Sequence, residues 1–142
     1  MAITSENLIK RAPITVKAGT KAIEAVKIMY RNNIGSVVIV NENGYPVGIF
    51  TERDLVRAVA CGKDLNDSVE SLGTYGKLIT VKPNSPIGEI AEKMVKNNIR
   101  HILVVDNEGK LVGVVSIKDI VNEKHVLDFL IKSETTWEGG TD

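Results

Sequence analysis

The sequence contains the same motif twice. Residues 14–56 align without a gap on residues 79–121, and about a third of the paired residues are identical, including Asp54 and Asp119. A gapless match of this length indicates a duplicated structural unit. The predicted organisation is a first copy at 1–61, a linker at 62–77, a second copy at 78–131 and a flexible tail at 132–142.

Each copy predicts the order strand, helix, strand, strand, helix. Thr20 and Ser85 are expected to cap the first helix of each copy, with Pro86 at the first helical position of the second. The apolar runs at 37–40 and 102–105 predict strands buried on both faces. A unit of about 45 residues buries too little surface to be stable alone. We therefore expect an α+β fold of two β-α-β-β-α repeats packed with pseudo-two-fold symmetry.

The composition narrows the classes of partner. Lys and Arg total 18 and Asp and Glu total 18 among 142 residues, and this balance argues against binding nucleic acid or a membrane surface. A single cysteine excludes an intramolecular disulfide, and two histidines make a metal site unexpected. No apolar run approaches the roughly 18 residues that span a bilayer. Without a secretory signal at the start of the sequence, a cytoplasmic location is expected.

A polar motif closes the second strand of each copy. Its pattern, Gly-x-x-(Thr/Ser)-x-(Arg/Lys)-Asp, begins at Gly48 and at Gly113. One interpretation is structural, because the hydroxyl and the carboxylate three residues later are the partners of a helix capping box. The other is functional, because a helix N-terminus, a hydroxyl and a cation suit phosphate, and a carboxylate accepts hydrogen bonds from a ribose diol. The repetition of the motif favours a ribonucleotide site.

These residues resemble the cystathionine β-synthase (CBS) domain family. The resemblance covers about residues 8–128 and rests on the first strands, the Asn-Asn-Ile helix ends, the aliphatic strands and the repeated motif. It implies a CBS pair, or Bateman module, with two clefts between the copies that bind adenosine derivatives such as AMP, ADP, ATP or S-adenosylmethionine. By the same resemblance, each cleft combines the motif of one copy with the first strand and second-strand entry of the other.

The resemblance implies a ligand-binding set for each cleft. The first cleft would combine Thr51, Arg53 and Asp54 with Thr80, Ile99, Arg100, His101 and Ile102. The second would combine Ser116, Lys118 and Asp119 with Thr15, Ile34, Gly35, Ser36 and Val37. Arg and His are suited to phosphate, so the pair Arg100-His101 predicts tighter binding in the first cleft. Glu52 counts against this, since a carboxylate beside the site repels phosphate.

The function expected from the sequence is regulation by ligand binding. No pattern supplies a catalytic nucleophile with a base, paired catalytic carboxylates or a metal cage, so no enzymatic activity is expected. The resemblance implies a nucleotide sensor that forms a homodimer and signals to an unidentified protein partner. The alternatives are an interaction scaffold with weak or no ligand binding, an S-adenosylmethionine binder and a nucleic-acid binder.

Overall fold

The structure is a computed structural model that describes residues 2–138, with side chains described through residue 133. It is a mixed α+β fold in which a β-α-β-β-α unit occurs twice. In chain order the elements are α1 (Ser5–Leu8), β1 (Thr15–Lys17), α2 (Ala22–Asn32), β2 (Ser36–Val40), β3 (Pro46–Thr51), α3 (Glu52–Ala60), α4 (Val69–Leu72), β4 (Thr74–Tyr75), β5 (Thr80–Val81), α5 (Ile87–Asn97), β6 (His101–Val105), β7 (Leu111–Ser116), α6 (Ile117–Val121) and α7 (Lys124–Glu138).

The two copies form two small sheets with the same internal order. In the first, β1 is parallel to β2, and β2 is antiparallel to β3. In the second, β5, β6 and β7 repeat this pairing. Each central hairpin even carries a register irregularity at the matching place, after Ile39 and after Val104. The strand β4 joins only the first sheet, where it pairs antiparallel to β3.

Each sheet buries one face against helices and the other against its counterpart. The two copies have separate cores, centred on Phe50 and on Ile102. A third cluster unites Val38 and Ile49 of the first sheet with Leu103 of the second. The continuous apolar runs are therefore buried on both faces, as the sequence predicts.

The helix ends are predicted better than the helix starts. Asn33 and Asn98 adopt left-handed backbone angles (φ 52° and 50°) and end α2 and α5, where the Asn-Asn pairs indicate. The predicted caps are wrong by one residue: Lys21 precedes α2, and Pro86 itself is the N-cap of α5. The Ser85 hydroxyl is occupied, since it accepts a hydrogen bond from the Lys82 backbone.

Two short helices outside the repeats complete the two cores in a crossed arrangement, in which each helix packs on the copy that does not directly follow it in sequence. The N-terminal helix α1 contacts β7, and Leu8 is fully buried in the core of the second copy. The linker helix α4 packs on the first copy, where Val69 is fully buried. The backbone of α1 is bonded to the second copy through Ser5 N and Ser85 O at 2.9 Å.

The closing segment of the second copy differs from the single helix that the sequence predicts at the end of this copy, within residues 78–131. It is divided into α6 and α7, and α7 continues to Glu138. The predicted tail at 132–142 thus contains helical residues, and residues 139–142 lie outside the described part of the chain. No helix among the residues described is long and apolar enough to cross a membrane.

Candidate functional site

The two repeated motifs form the capping boxes that their spacing predicts. Thr51 precedes α3, and its backbone N–H and hydroxyl both donate to Asp54 Oδ2, at 2.8 and 3.2 Å. Ser116 precedes α6 and donates to Asp119 Oδ2 in the same way, at 2.8 and 3.1 Å. The structural interpretation of the motif is therefore confirmed. It leaves Oδ1 of each carboxylate outside the capping box.

The motif of the first copy faces the second copy across a cleft of about 520 Å³. Arg53 crosses between them, with Nη1 donating to the backbone carbonyl of Asn98 at 3.0 Å. Six residues of the predicted first set line this cleft: Thr51, Arg53, Asp54, Ile99, Arg100 and His101. Seven further residues line it as well: Ile49, Glu52, Val56, Arg57, Thr74, Asn97 and Asn98.

Two members of the first set lie elsewhere. Ile102 is fully buried in the core of the second copy. Thr80 is half-buried on β5, where its carbonyl accepts a hydrogen bond from Lys93 Nζ at 2.9 Å. Neither side chain is among those that line the cleft.

The second predicted set does not line this cleft. Thr15 is exposed on β1, whereas Val37 is buried in the first core and Ile34 packs against it. Ser36 is buried at the start of β2, opposite Thr51. The three motif residues Ser116, Lys118 and Asp119 lie around the start of α6.

Gly35 lies where the two copies come close together. A Cβ atom at this position would be 3.1 Å from His101 Nε2 and closer still to Glu52 Oε1. The absence of a side chain therefore admits an imidazole of the second copy and a carboxylate of the first. The copies differ here in sequence, because Arg100 occupies the position equivalent to Gly35.

Burial controls the protonation of His101. Desolvation lowers the pKa of this imidazole, and the positive charge of Arg100 lowers it further. The carboxylates of Glu52, Asp119 and Asp54 act in the opposite direction without overcoming burial. The His101 pKa is consequently below its ordinary value of 6.5.

An ion pair that was not predicted from the sequence lies inside the cleft. Arg57 Nη2 donates to Asp54 Oδ1, so the carboxylate oxygen outside the capping box already has a partner. The signal was present in the sequence, because residues three apart on a helix are neighbours and oppositely charged ones attract. Thr74 carried no such signal, because it reaches the cleft from β4, a strand of only two residues.

The part of the chain that the structure describes offers no metal site built from protein side chains. No cluster of three or more His, Cys, Asp or Glu side chains is close enough together there. The polar groups of the cleft are instead a hydroxyl, carboxylates and guanidinium groups. These groups bind organic ligands that carry hydroxyl and anionic substituents.

Comparison with solved structures identifies modules of the same architecture. A CBS domain protein from Pyrobaculum aerophilum, solved in complex with AMP, superimposes with a TM-score of 0.83 and 34% identity, over 92% of this chain and 99% of that one. The CBS domain pair of the protein MJ0100, solved with 5′-methylthioadenosine and S-adenosyl-L-methionine, gives a TM-score of 0.78 and 33% identity over 84% and 94% of the two chains.

Sequence relatives include an uncharacterised protein and an enzyme. The former, from Methanopyrus kandleri, is 37% identical over 88% of this chain and 64% of its own length. Inosine-5′-monophosphate dehydrogenase of Aquifex aeolicus is 38% identical over 79% of this chain but only 22% of the dehydrogenase. The chain therefore spans less than two thirds of both relatives.

A family model settles the assignment. The CBS domain model matches twice, at residues 6–61 and 69–125, and so covers both copies of the repeat. The fold, the repeat and the solved relatives agree with this match. The chain belongs to the CBS domain family and contains a tandem pair of its domains.

Proposed function

We propose that this CBS pair is a regulatory module that binds an adenosine nucleotide of the AMP, ADP or ATP class. The observation that carries the proposal is the convergence of Thr51, Arg53 and Asp54 from the first copy with Arg100 and His101 from the second around one cleft of about 520 Å³. Pockets of about 300–1,000 Å³ are typical of sites for small molecules. The AMP complex of the related Pyrobaculum aerophilum protein supports this ligand class.

The chemistry of the cleft assigns each group a role. Asp54 accepts hydrogen bonds from the ribose diol, while Thr51 and the guanidinium groups face the phosphate. Three arginines, Arg53, Arg57 and Arg100, oppose two carboxylates, Glu52 and Asp54, and this excess of one positive charge favours an anion. S-adenosylmethionine carries a sulfonium cation, so it is the weaker candidate, although the MJ0100 complex includes it.

We propose that the second predicted set of ligand-binding residues binds nucleotide more weakly than the first cleft does. Its motif starts the five-residue helix α6, whereas Thr51 starts the nine-residue helix α3. The pair Gly35-Ser36 stands where the first cleft has Arg100-His101, so the second site has fewer cations. Ser116, Lys118 and Asp119 would supply most of its polar contacts.

Regulation follows from the position of the first cleft between the copies. A ligand held by Asp54 and Arg100 bridges the same gap as the hydrogen bond from Arg53 to Asn98. Ligand binding would thus bias how the copies pack and signal to a protein partner, without catalysis. We also propose a homodimer and a cytoplasmic location for the chain.

Isothermal titration calorimetry with AMP, ADP, ATP and S-adenosylmethionine tests this function. Asp54→Ala should weaken nucleotide binding about 10- to 100-fold, because two charge-assisted hydrogen bonds are lost. Asp119→Ala is the matched comparison, because it removes the equivalent capping box and carboxylate of the second motif, and it should weaken nucleotide binding less than Asp54→Ala does.

The outcomes separate the candidate functions. Unchanged affinity in folded Asp54→Ala protein would reject the assignment of the site. Preferential binding of S-adenosylmethionine would replace the nucleotide by that ligand. Failure of all four ligands to bind the wild-type protein would favour the scaffold alternative.

A further inference from the structure

The ion pair between Arg57 and Asp54 distinguishes the first motif from the second. Arg57 lies one helical turn after Asp54 on α3, and both residues line the cleft. At the position equivalent to Arg57 the second copy has Asn122, which carries no charge. Within the described residues, no cation is paired with Asp119. Only Asp54 therefore has a competitor for its ligand-binding oxygen.

The hydrogen-bonding capacity of Asp54 limits what can bind beside Arg57. A carboxylate offers about four acceptor positions. The backbone N–H and hydroxyl of Thr51 occupy two of them on Oδ2, and Arg57 occupies a third on Oδ1. A vicinal diol brings two donors, so both can be accommodated at Oδ1 only if the guanidinium moves away.

The free-energy cost of moving Arg57 away from Asp54 depends on whether each group finds a new partner. The side chain of Asp54 is only 6% exposed, so water compensates poorly for a broken ion pair at this carboxylate. The side chain of Arg57 is 55% exposed and lines the cleft, so it has room to turn toward a ligand. A phosphate can replace Asp54 as the partner of Arg57, because it is also an anion and accepts two parallel hydrogen bonds from a guanidinium.

We propose that Arg57 makes the first cleft select ligands that carry both a vicinal diol and an anionic group. The diol displaces Arg57 from Asp54 Oδ1, and the anionic group of the same molecule takes up the displaced guanidinium. An uncharged nucleoside breaks the same ion pair and returns no partner to Arg57. This inference rests on the proposed function, because it assumes that Asp54 binds the diol.

Calorimetric titration of AMP and adenosine measures this selectivity directly. The ratio of AMP to adenosine affinity should fall at least about tenfold in Arg57→Asn, which introduces the residue type found at position 122. The fall comes from the charge-assisted contact that AMP loses, because release of Asp54 Oδ1 from Arg57 favours the diols of AMP and adenosine equally. Arg57→Lys should retain most of the preference for AMP. Arg31→Asn, an equal loss of charge on the exposed surface of α2, should keep the wild-type ratio.

The same experiment tells the failure of this inference from the failure of the proposed function. An unchanged ratio in folded Arg57→Asn protein, with AMP still bound, would overturn the selectivity role alone. Wild-type protein that binds adenosine as tightly as AMP would overturn it without any variant. Wild-type protein that binds neither ligand would overturn the proposed function as well.

Discussion

His101 is the residue at which charges from both copies meet. Its imidazole lies beside Glu52 of the first copy and is paired across β6 and β7 with the motif residue Ser116. Burial holds its pKa below 6.5 despite the carboxylates around it, which favours the neutral form at pH 7. A phosphate in the cleft would add negative charge and favour the protonated form.

The lowered pKa of His101 makes stability depend on pH. Below pH 6.5 the unfolded chain binds a proton at this residue more readily than the folded protein does, so acidification favours unfolding. The loss begins near pH 6.5 and is complete once the pH falls below the folded pKa. Between pH 7 and 5, His101→Gln should show a shallower loss of unfolding free energy, by at most about 1.4 kcal/mol per pH unit.

Denaturant titrations at several pH values measure this difference. His125→Gln is the control, because it removes an exposed histidine on α7. Equal slopes for wild type and His101→Gln would contradict the lowered pKa of His101.

At the scale of single elements, the sequence predicts interactions between residues close together in the chain but not contacts between distant segments. The sequence predicts both capping boxes and both Asn-Asn helix ends, because those interactions join residues a few positions apart. It does not predict the starts of α2 and α5. Ala22 N donates to Asp67 O and Ile87 N donates to Ile3 O, so distant backbone segments satisfy these first turns. For the same reason the sequence does not predict that Thr74 lines the cleft, or that α1 packs on the second copy and α4 on the first.

The helix α1 is expected to stabilise the copy that it packs on rather than the copy that follows it in sequence. Leu8 is fully buried among Val81 and Ile90 of the second copy. Leu8→Ala should lower the free energy of unfolding by about 2–5 kcal/mol, as for other buried leucines. Val95→Ala, at a site that is 81% exposed on α5, should change it by less than about 0.5 kcal/mol.

Chemical denaturation of both variants provides the measurement. Equal effects at Leu8 and Val95 would show that α1 does not complete the second core.

At the scale of the whole molecule, apolar side chains remain exposed on the closing helices. Val56 and Val59 of α3 are 67% and 62% exposed, and Phe129 and Leu130 of α7 are 69% and 50% exposed. Large apolar side chains grouped on a surface are typical of interaction sites. The net charge of zero leaves two copies of the chain without strong repulsion. These features support the proposed homodimer through the closing helices.

Substitution of Phe129 tests that interface in solution. Burying a phenylalanine side chain contributes about 1.5–3 kcal/mol, so Phe129→Ser should cost the dimer about 3–6 kcal/mol, or roughly 100- to 10,000-fold in affinity, if each partner buries one. Tyr30→Ser is the matched control, because Tyr30 is 87% exposed on α2, away from the closing helices in sequence. Sedimentation velocity across a concentration series should show dissociation of Phe129→Ser at concentrations where wild type and Tyr30→Ser are dimers. Dissociation of Tyr30→Ser alone would instead place the interface on α2, and a monomeric wild type would reject the dimer.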